Sequence, residues 1–549
     1  MKYSVSVLWI TAVLFLSACG GGSGGSAAGG SGVTPTPPPT VPPPVTPPSG
    51  PTVWQQGVFP AEQQLKNYCE NPRSGTDPFN NNRPYPDLAG NAMFEKMWLR
   101  SWSHRTYLWY RELPDLDPQN FSVAEYFAQL KTSAKTDAGT PKDNFHFSQN
   151  TAEYLKETQG GTRFGYGINW YVASSRPPRR FTIAYNEPSS PATSAALPRG
   201  AVLVAIDGVD FVNEASASAL SSFNRALFPT TAGQRHEFRF QLPSGELQTV
   251  SLTSADVVKV PVPQSLVLDS AAGKVGYLQF NSYVAAAQPQ LIRSIRQFND
   301  ANIQELVVDL RYNGGGLLAL AAQLGYMLAG PQVIQGRIFE RSVFNDKHPN
   351  VNPITGQALQ PLPFISRGID YNAGQYTNET LPFLSLRRVF ILTTDDTCSA
   401  SEALINGLRG IDMDVVLIGG KTCGKPYGFY PTDNCGTTYF TIQFSGVNAK
   451  GFGEFADGFR PTENPVLAAD VKGCAVADDF SRALGNPQER LLQTAIHYMR
   501  QNQCPVLPQA APISTEPRFD SDLMDWQLDP RKRAIILENK LYSPNLPTL

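Results

Sequence analysis

Three short stretches hold residue types that could do chemistry together. The first is Thr397-Cys398-Ser399-Ala400-Ser401-Glu402, where an apolar run from Val389 to Thr394 gives way to a helical pattern over Ser399 to Leu408. A serine at the head of a helix presents its hydroxyl beside main-chain N–H groups, as a nucleophile requires when an oxyanion must be held. The same residues also spell a capping box, Ser followed three residues later by Glu, and taken alone that plain reading is the stronger. The second stretch is Ile418-Gly419-Gly420-Lys421-Thr422-Cys423-Gly424-Lys425-Pro426. Its spacing nearly meets the phosphate-loop pattern, but Pro426 stands where a Ser or Thr must meet magnesium, so a nucleotide role is set aside. Lys425 is then either a solvated loop lysine or a base. The third stretch is Asp309-Leu310-Arg311-Tyr312-Asn313-Gly314-Gly315-Gly316. It lacks the Gly-x-Gly-x-x-Gly spacing of a dinucleotide site; glycines after a buried strand instead let a main-chain amide approach a substrate closely.

The elements that must position these residues follow from hydrophobic period. From about 262 to 505 strands and helices alternate: Lys274 to Phe280, a helix with Leu291, Ile295 and Phe298 on one face, Leu306 to Leu310, a helix with Leu317, Leu320, Leu324 and Leu328, then Val389 to Thr394 and Val415 to Ile418. That alternation predicts an α/β core with a helix-covered sheet. Residues 160–256 read as short strands with one helix over Ala215 to Phe228 and turns at Asp207-Gly208 and Ser244-Gly245. Residues 53–157 read as helical and rich in core aromatics, and His104 is expected to be structural. Residues 506–549 are a Pro-rich tail with a short helical pattern at Arg531 to Lys540.

The chain has 549 residues, 41% hydrophobic and 17% charged, with 45 Lys+Arg against 47 Asp+Glu. That balance gives no footprint for nucleic acid. No internal run reaches the ~18 apolar residues of a membrane span. Lys2 and the apolar run Val5 to Leu16 form an export signal over residues 1–18, too short to cross a bilayer. Its end, Leu16-Ser17-Ala18-Cys19, resembles a bacterial lipobox with Cys19 acylated. Gly20 after it resembles lipoproteins sorted to the outer membrane, facing periplasm or cell surface. Residues 19–52, Gly/Ser-rich and then Pro-rich, would be a tether holding the domains away from the lipid. Cys69, Cys398, Cys423, Cys435, Cys474 and Cys504 remain, an even number that suggests disulfides with 15 connectivities if all pair. Without a CxxC pair and with scattered histidines, no metal is expected.

The 160–256 unit resembles a PDZ domain, with Gly165-Tyr166-Gly167-Ile168 at the position of a carboxylate-binding loop. Taken in chain order, the three stretches resemble the S41 family of carboxyl-terminal processing peptidases, which carries D-L-R-x-N-x-G-G, then S-A-S-E, then G-K. The resemblance implies a multidomain α/β protein: a helical N-terminal domain, a small β-rich PDZ-like domain that takes polypeptide C-termini, and a ClpP/crotonase-like core. It implies Ser399 as nucleophile, Lys425 as general base in an apolar pocket, an oxyanion hole from Ala400 with Gly315 or Gly316, and no cofactor. Ser401 is the rival nucleophile, and a Ser-His arrangement through His104 the minor alternative. Two departures stand out. The family often has Gln four residues after its lysine; here that residue is Phe429, with Glu402 a candidate for support, and the alternative is a catalytically weak peptide-binding scaffold. Cys398 and Cys423 flank the two catalytic positions, so a disulfide between them would pin both segments; Cys435 with Cys474 is a weaker second pair. Oligomeric state and substrate are not legible.

Overall fold

The computed structural model describes residues 52–160 and 162–506, so the expected signal, Cys19, nearly all of the tether and the tail after 506 lie outside the described residues. The N-terminal segment contains helices α1 (Ala92–Thr106) and α2 (Val123–Gln129), strand β1 (Phe147–Asn150) and helix α3 (Thr151–Gly160). Ser122 caps α2 in a full capping box with Glu125. Four two-residue strands between Tyr68 and Ala89 add to this segment, which is less helical than its sequence suggests.

Strands β2 (Thr162–Gly165), β3 (Ile168–Ser174), β4 (Arg180–Asn186), β5 (Val202–Ile206), helix α4 (Ala217–Leu227), and strands β6 (Arg235–Gln241), β7 (Leu247–Thr253) and β8 (Ala255–Val258) follow. Antiparallel pairing orders the main sheet β7-β6-β5-β4-β3, which leaves β3 at an edge, while β2 and β8 pair separately. Asp207 and Gly208 both take positive φ in the turn that returns β5 on itself, the conformation the Asp-Gly pair predicts.

The largest sheet is built from β9 (Gln264–Ser270), β10 (Gly273–Gln279), helix α5 (Ala287–Ala301), β11 (Glu305–Asp309), helix α6 (Leu318–Ala329), β12 (Arg388–Thr393), helix α7 (Ala400–Gly410), β13 (Asp414–Gly419), β14 (Thr437–Phe440), β15 (Arg460–Thr462), β16 (Asp470–Ala475) and helix α8 (Arg490–Gln501), of which β14 pairs elsewhere. Its order is β9-β10-β11-β12-β13-β16-β15, parallel except for the β9–β10 hairpin. The strands are apolar throughout because both faces are covered. Leu306, Val308, Val389, Ile391, Val415 and Leu417 point into one core with α5, α6 and α7. The alternating Val307, Phe390, Leu392, Val416 and Ile418 point into a second with Leu491, Leu492 and Ala495 of α8. Each fully buried aliphatic side chain here contributes about 1.5–3 kcal/mol of burial energy.

Two findings depart from the sequence reading. First, β1 joins the core hairpin instead of closing a separate helical domain: it pairs antiparallel with β14, Phe147 opposite Phe440 and Asn150 opposite Thr437. Second, Cys435 bonds Cys69 and Cys474 bonds Cys504, so the expected Cys435–Cys474 pair is wrong. The chain brings Cys69 beside the β14 hairpin, and Cys504 follows α8 back to β16, and neither approach is visible in the spacing.

Candidate active site

Strands β11, β12 and β13 are parallel neighbours, so the three chemistry-bearing stretches all leave the same edge of the sheet, at the C-terminal ends of adjacent strands. That edge is where open α/β sheets gather their sites. Hydrogen bonds then tie the loops to one another. The Thr397 hydroxyl donates to the Leu310 carbonyl at 2.8 Å, the Cys398 N–H to the Asn313 carbonyl at 3.1 Å, and the Cys423 N–H to the Thr397 carbonyl at 3.0 Å.

Ser399 is the N-cap of α7, at φ 57° and ψ −114°. A non-glycine residue in this left-handed region is strained, on the order of 1–3 kcal/mol, and persists only where its surroundings fix it. Such a turn from strand to helix is how a nucleophilic serine is thrust out of its own backbone. Ser401 is occupied: its hydroxyl donates to the Asn313 carbonyl at 3.0 Å and it is fully buried.

Glu402, fully buried, joins two of the three stretches. Its Oε2 accepts the main-chain N–H of Ser399 at 3.0 Å and of Lys425 at 2.8 Å. Its Oε1 accepts the Gly424 N–H at 2.8 Å and the Thr422 hydroxyl at 2.6 Å. Burial pushes this carboxyl above its ordinary value, against the four donors, which pull it down. The support expected of Glu402 is therefore given to the backbone around Lys425: the two candidate catalytic residues hang from one oxygen atom. A disulfide joins the same segments, Cys398 to Cys423, with Cα atoms 5.2 Å apart.

Lys425 is 1% exposed. Its Nζ lies 4.3 Å from the centroid of the Phe429 ring and 5.4 Å from that of Phe145. Phe145 and Phe429 share one apolar cluster with Cys398, Phe440 and Ile442. Sequence reasoning missed Phe145 because it lies in the N-terminal segment and reaches the site through long-range contacts, the β1–β14 pairing and the Leu108 N–H to Ile442 carbonyl bond among them.

The third stretch meets Ser399 from the opposite side. A Cβ on Gly315 would sit 2.7 Å from the Ser399 Cβ and 3.0 Å from the Ala400 nitrogen, and φ is 108° there, so only glycine fits. The Gly315 N–H donates to Asn313 Oδ1 at 2.9 Å and its carbonyl accepts from Tyr283. Gly316, at φ 132°, packs against the Tyr283 carbonyl. Ala400 is the first residue of α7, whose N–H has no acceptor within the helix. Beneath the loop lies a buried ionic network with no local sequence signal. Arg311 bonds Asp309, both oxygens of Glu489 and Asp478, while Arg199, from between β4 and β5, reaches Asp478 and the Tyr312 hydroxyl.

Other candidates are placed elsewhere or engaged. His104 stacks on Phe59 at 3.6 Å with Lys347 beside it, and burial lowers its pKa to about 4. Among the described residues, the Sγ atoms of Cys398 and Cys423 and the Glu402 carboxylate come within 4.8 Å of one another, a donor set of the kind that suits a soft cation. The disulfide removes both thiolates and four donors occupy the carboxylate, so the trio does not fit a metal. Gly165, Tyr166, Gly167 and Ile168 line a cavity of about 90 Å³ between β3 and α4, with Phe228 and Phe238 also in its wall. Gly167 has φ 78°, and a Cβ there would meet Ser190.

A family model described as Peptidase family S41 matches residues 274–431. A carboxyl-terminal-processing protease of Picosynechococcus sp. (strain ATCC 27264 / PCC 7002 / PR-6) is 26% identical over 243 residues, 43% of this chain and 49% of that protein. The chain thus spans about half the length of the curated relative it matches. The fold is similar to a candidate S41 protease from Bacteroides fragilis NCTC 9343, with TM-score 0.54, 24% identity and coverage of 76% of this chain and 97% of that one. Residues 274–431 thus match a peptidase family S41 domain, and the parallel sheet and the order of the three stretches along its edge agree with that match.

Proposed function

We propose that the chain is a serine endopeptidase that cleaves polypeptides near their C-termini, with Ser399 as nucleophile and Lys425 as general base. The observation that carries this reading is the strained φ of Ser399 at the head of α7, beside a buried lysine whose backbone shares its carboxylate anchor. Burial favours a neutral amine, the form a base requires. The Ser399 oxygen attacks the scissile carbonyl carbon, an O–C bond forms, and the carbonyl electron pair moves onto oxygen. Lys425 takes the hydroxyl proton and passes it to the amide nitrogen as the C–N bond breaks. Water then gives a proton to the same amine and attacks the ester carbon; the Ser399 O–C bond breaks, and the amine returns that proton to the Ser399 oxygen. The oxyanion is held by the N–H of Ala400 and of Gly316, since the Gly315 amide is given to Asn313.

In the same reading, the sheet of residues 160–256 is a PDZ-like unit. A substrate C-terminus adds along edge strand β3, with its carboxylate at Gly165 to Ile168. Cys19 anchors the exported protein to lipid. No helix among the described residues is long and apolar enough to cross a membrane. A fluorophosphonate tests the chemistry on the full chain. Stoichiometric labelling that disappears in Ser399→Ala and Lys425→Ala supports the reading. An unlabelled parent that still binds peptides means a scaffold, and a labelled Ser399→Ala variant removes the nucleophile.

A further inference from the structure

Lys425 has aromatic faces where its family resemblance leads one to expect an amide. Phe429 takes the place of the expected Gln, and Phe145 comes to the same amine from the N-terminal segment. Both rings are buried, and their positions are over-determined. Phe145 donates its N–H to Asp143 Oδ1 at 2.9 Å, and Asp143 Oδ2 accepts the Tyr107 hydroxyl at 2.7 Å. Phe429 meets Phe440 edge-on at 5.5 Å, and Phe440 stacks on Phe147 of β1 at 4.3 Å. The N-terminal segment therefore fixes both rings.

An aromatic ring does two things to an amine that must gain and lose a proton. It excludes water, which disfavours the ammonium. Its negative face also attracts the ammonium once formed, without the lone pair by which an amide oxygen would hold it in the charged state. A base between two such faces is steered toward its partner while both protonation forms stay within reach. We infer that Phe145 and Phe429 are positioning residues that orient the Lys425 amine through their π faces, so that the N-terminal segment completes the active site. The inference rests on reading Ser399 and Lys425 as the reacting pair.

Among the described residues, the titratable groups of the cluster that holds both rings include Tyr107, Tyr154, Tyr110 and Tyr427, the last pushed up to about 12 chiefly by burial; Asp143, Asp457 and Glu112 stand around Tyr427, and Glu402 on α7 accepts the Lys425 N–H. All are left in place by the substitutions below. The full chain is prepared with ¹³C-labelled lysine in the Ser399→Ala background, and the ε-carbon resonance of Lys425, assigned by its loss in Lys425→Ala, is titrated. Phe429→Leu keeps the pocket apolar but removes the nearer π face, so the midpoint falls by about one pH unit, tenfold in the amine-to-ammonium ratio. Phe145→Leu lowers it less, since its ring is farther away. Phe429→Gln supplies a carbonyl acceptor, and the midpoint rises. If both Leu variants titrate with the parent, or if Phe429→Gln lowers the midpoint, the inference is overturned. Either Leu variant decides it should the other fail to fold. Because the titration needs no turnover, an unlabelled parent in the fluorophosphonate assay would sink the reacting pair and leave the π contact to be judged by itself.

Discussion

Replacing Glu402 by Gln changes one oxygen into an NH₂ group and little else in volume. The carboxylate accepts four hydrogen bonds, two at each oxygen. If the new NH₂ faces Ser399 and Lys425, two buried N–H groups are orphaned. If it faces Gly424, one N–H is orphaned, and the Thr422 hydroxyl must give up its donation while its oxygen still accepts from Phe459 at 2.7 Å. The second orientation is the cheaper. An orphaned buried N–H costs about 1–3 kcal/mol, and the remaining bonds lose their charge assistance, roughly another 1 kcal/mol together. We expect Glu402→Gln to lose about 2–4 kcal/mol in denaturant unfolding under oxidising conditions. The fluorophosphonate reaction rate should fall at least tenfold, roughly 1.4 kcal/mol, because Ser399 and Lys425 lose part of their common anchor. The pH dependence carries a sign as well. Burial raises the folded pKa above the ordinary 4.5, so just above that value the native state keeps a proton that the unfolded chain has released. Stability from this group falls as pH rises through that window, and the slope vanishes in the Gln variant. A Glu402→Gln protein that unfolds within about 0.5 kcal/mol of the parent and is labelled at the parent rate would refute the anchoring argument.

Four further outcomes follow from the same geometry. Gly315→Ala drives a methyl against the Ser399 Cβ at a φ that disfavours alanine, and labelling should vanish while the circular dichroism of the sheet persists. The Cys398→Ser/Cys423→Ser pair opens a link of sequence separation 25, worth about 3 kcal/mol by loop entropy; labelling should slow but survive, since Glu402 still holds both segments. Complete loss would mean that the disulfide alone aligns the site. Burial raises the Asp478 carboxyl, but the Arg311 and Arg199 charges and the Tyr312 hydroxyl prevail and bring it from 3.8 to about 2, so about 2 kcal/mol present above pH 4 is lost as pH falls toward 2. Asp478→Asn should flatten that limb in unfolding measured against pH. Ser399→Gly should be more stable than Ser399→Ala by about 1 kcal/mol, because only glycine accepts the φ of 57° without strain; equal stabilities would mean that the turn is relaxed.

Much of the core was legible because it is periodic. Continuous apolar runs at Leu306 to Leu310, Val389 to Thr394 and Val415 to Ile418 mark strands buried on both faces, and each became one of three adjacent parallel strands. The Asp207-Gly208 and Ser244-Gly245 turns were legible by their chemistry. What stayed hidden was long-range. Nothing local links Phe147 to Phe440, so neither Phe145 nor the share of the N-terminal segment in the site could be read. Six cysteines fix no connectivity, and the guess for Cys435 failed because Cys69 approaches from the far end of the chain. At Ser399 to Glu402 the local pattern promised only a capped helix, because a capping box and an anchor for a second loop use the same carboxylate.

That double use of Glu402 bears on why the site holds its shape. A strained serine turn relaxes unless it is fixed from several directions, and here the fixing is redundant. The Asn313 carbonyl takes the Cys398 N–H and the Ser401 hydroxyl, Gly315 closes one side without room for a side chain, and Glu402 and the disulfide bind the lysine loop to the other. Each of these restraints attaches to main chain or sulfur, so the turn is held without depending on contacts of the Lys425 amine. The aromatic faces of Phe145 and Phe429 fit the same division, since a π surface steers an amine without claiming its lone pair. The rigidity of the turn therefore resides in the main chain; if Ser399 and Lys425 react as proposed, a substitution that strengthens a side-chain contact to either should slow the chemistry even where it stabilises the fold.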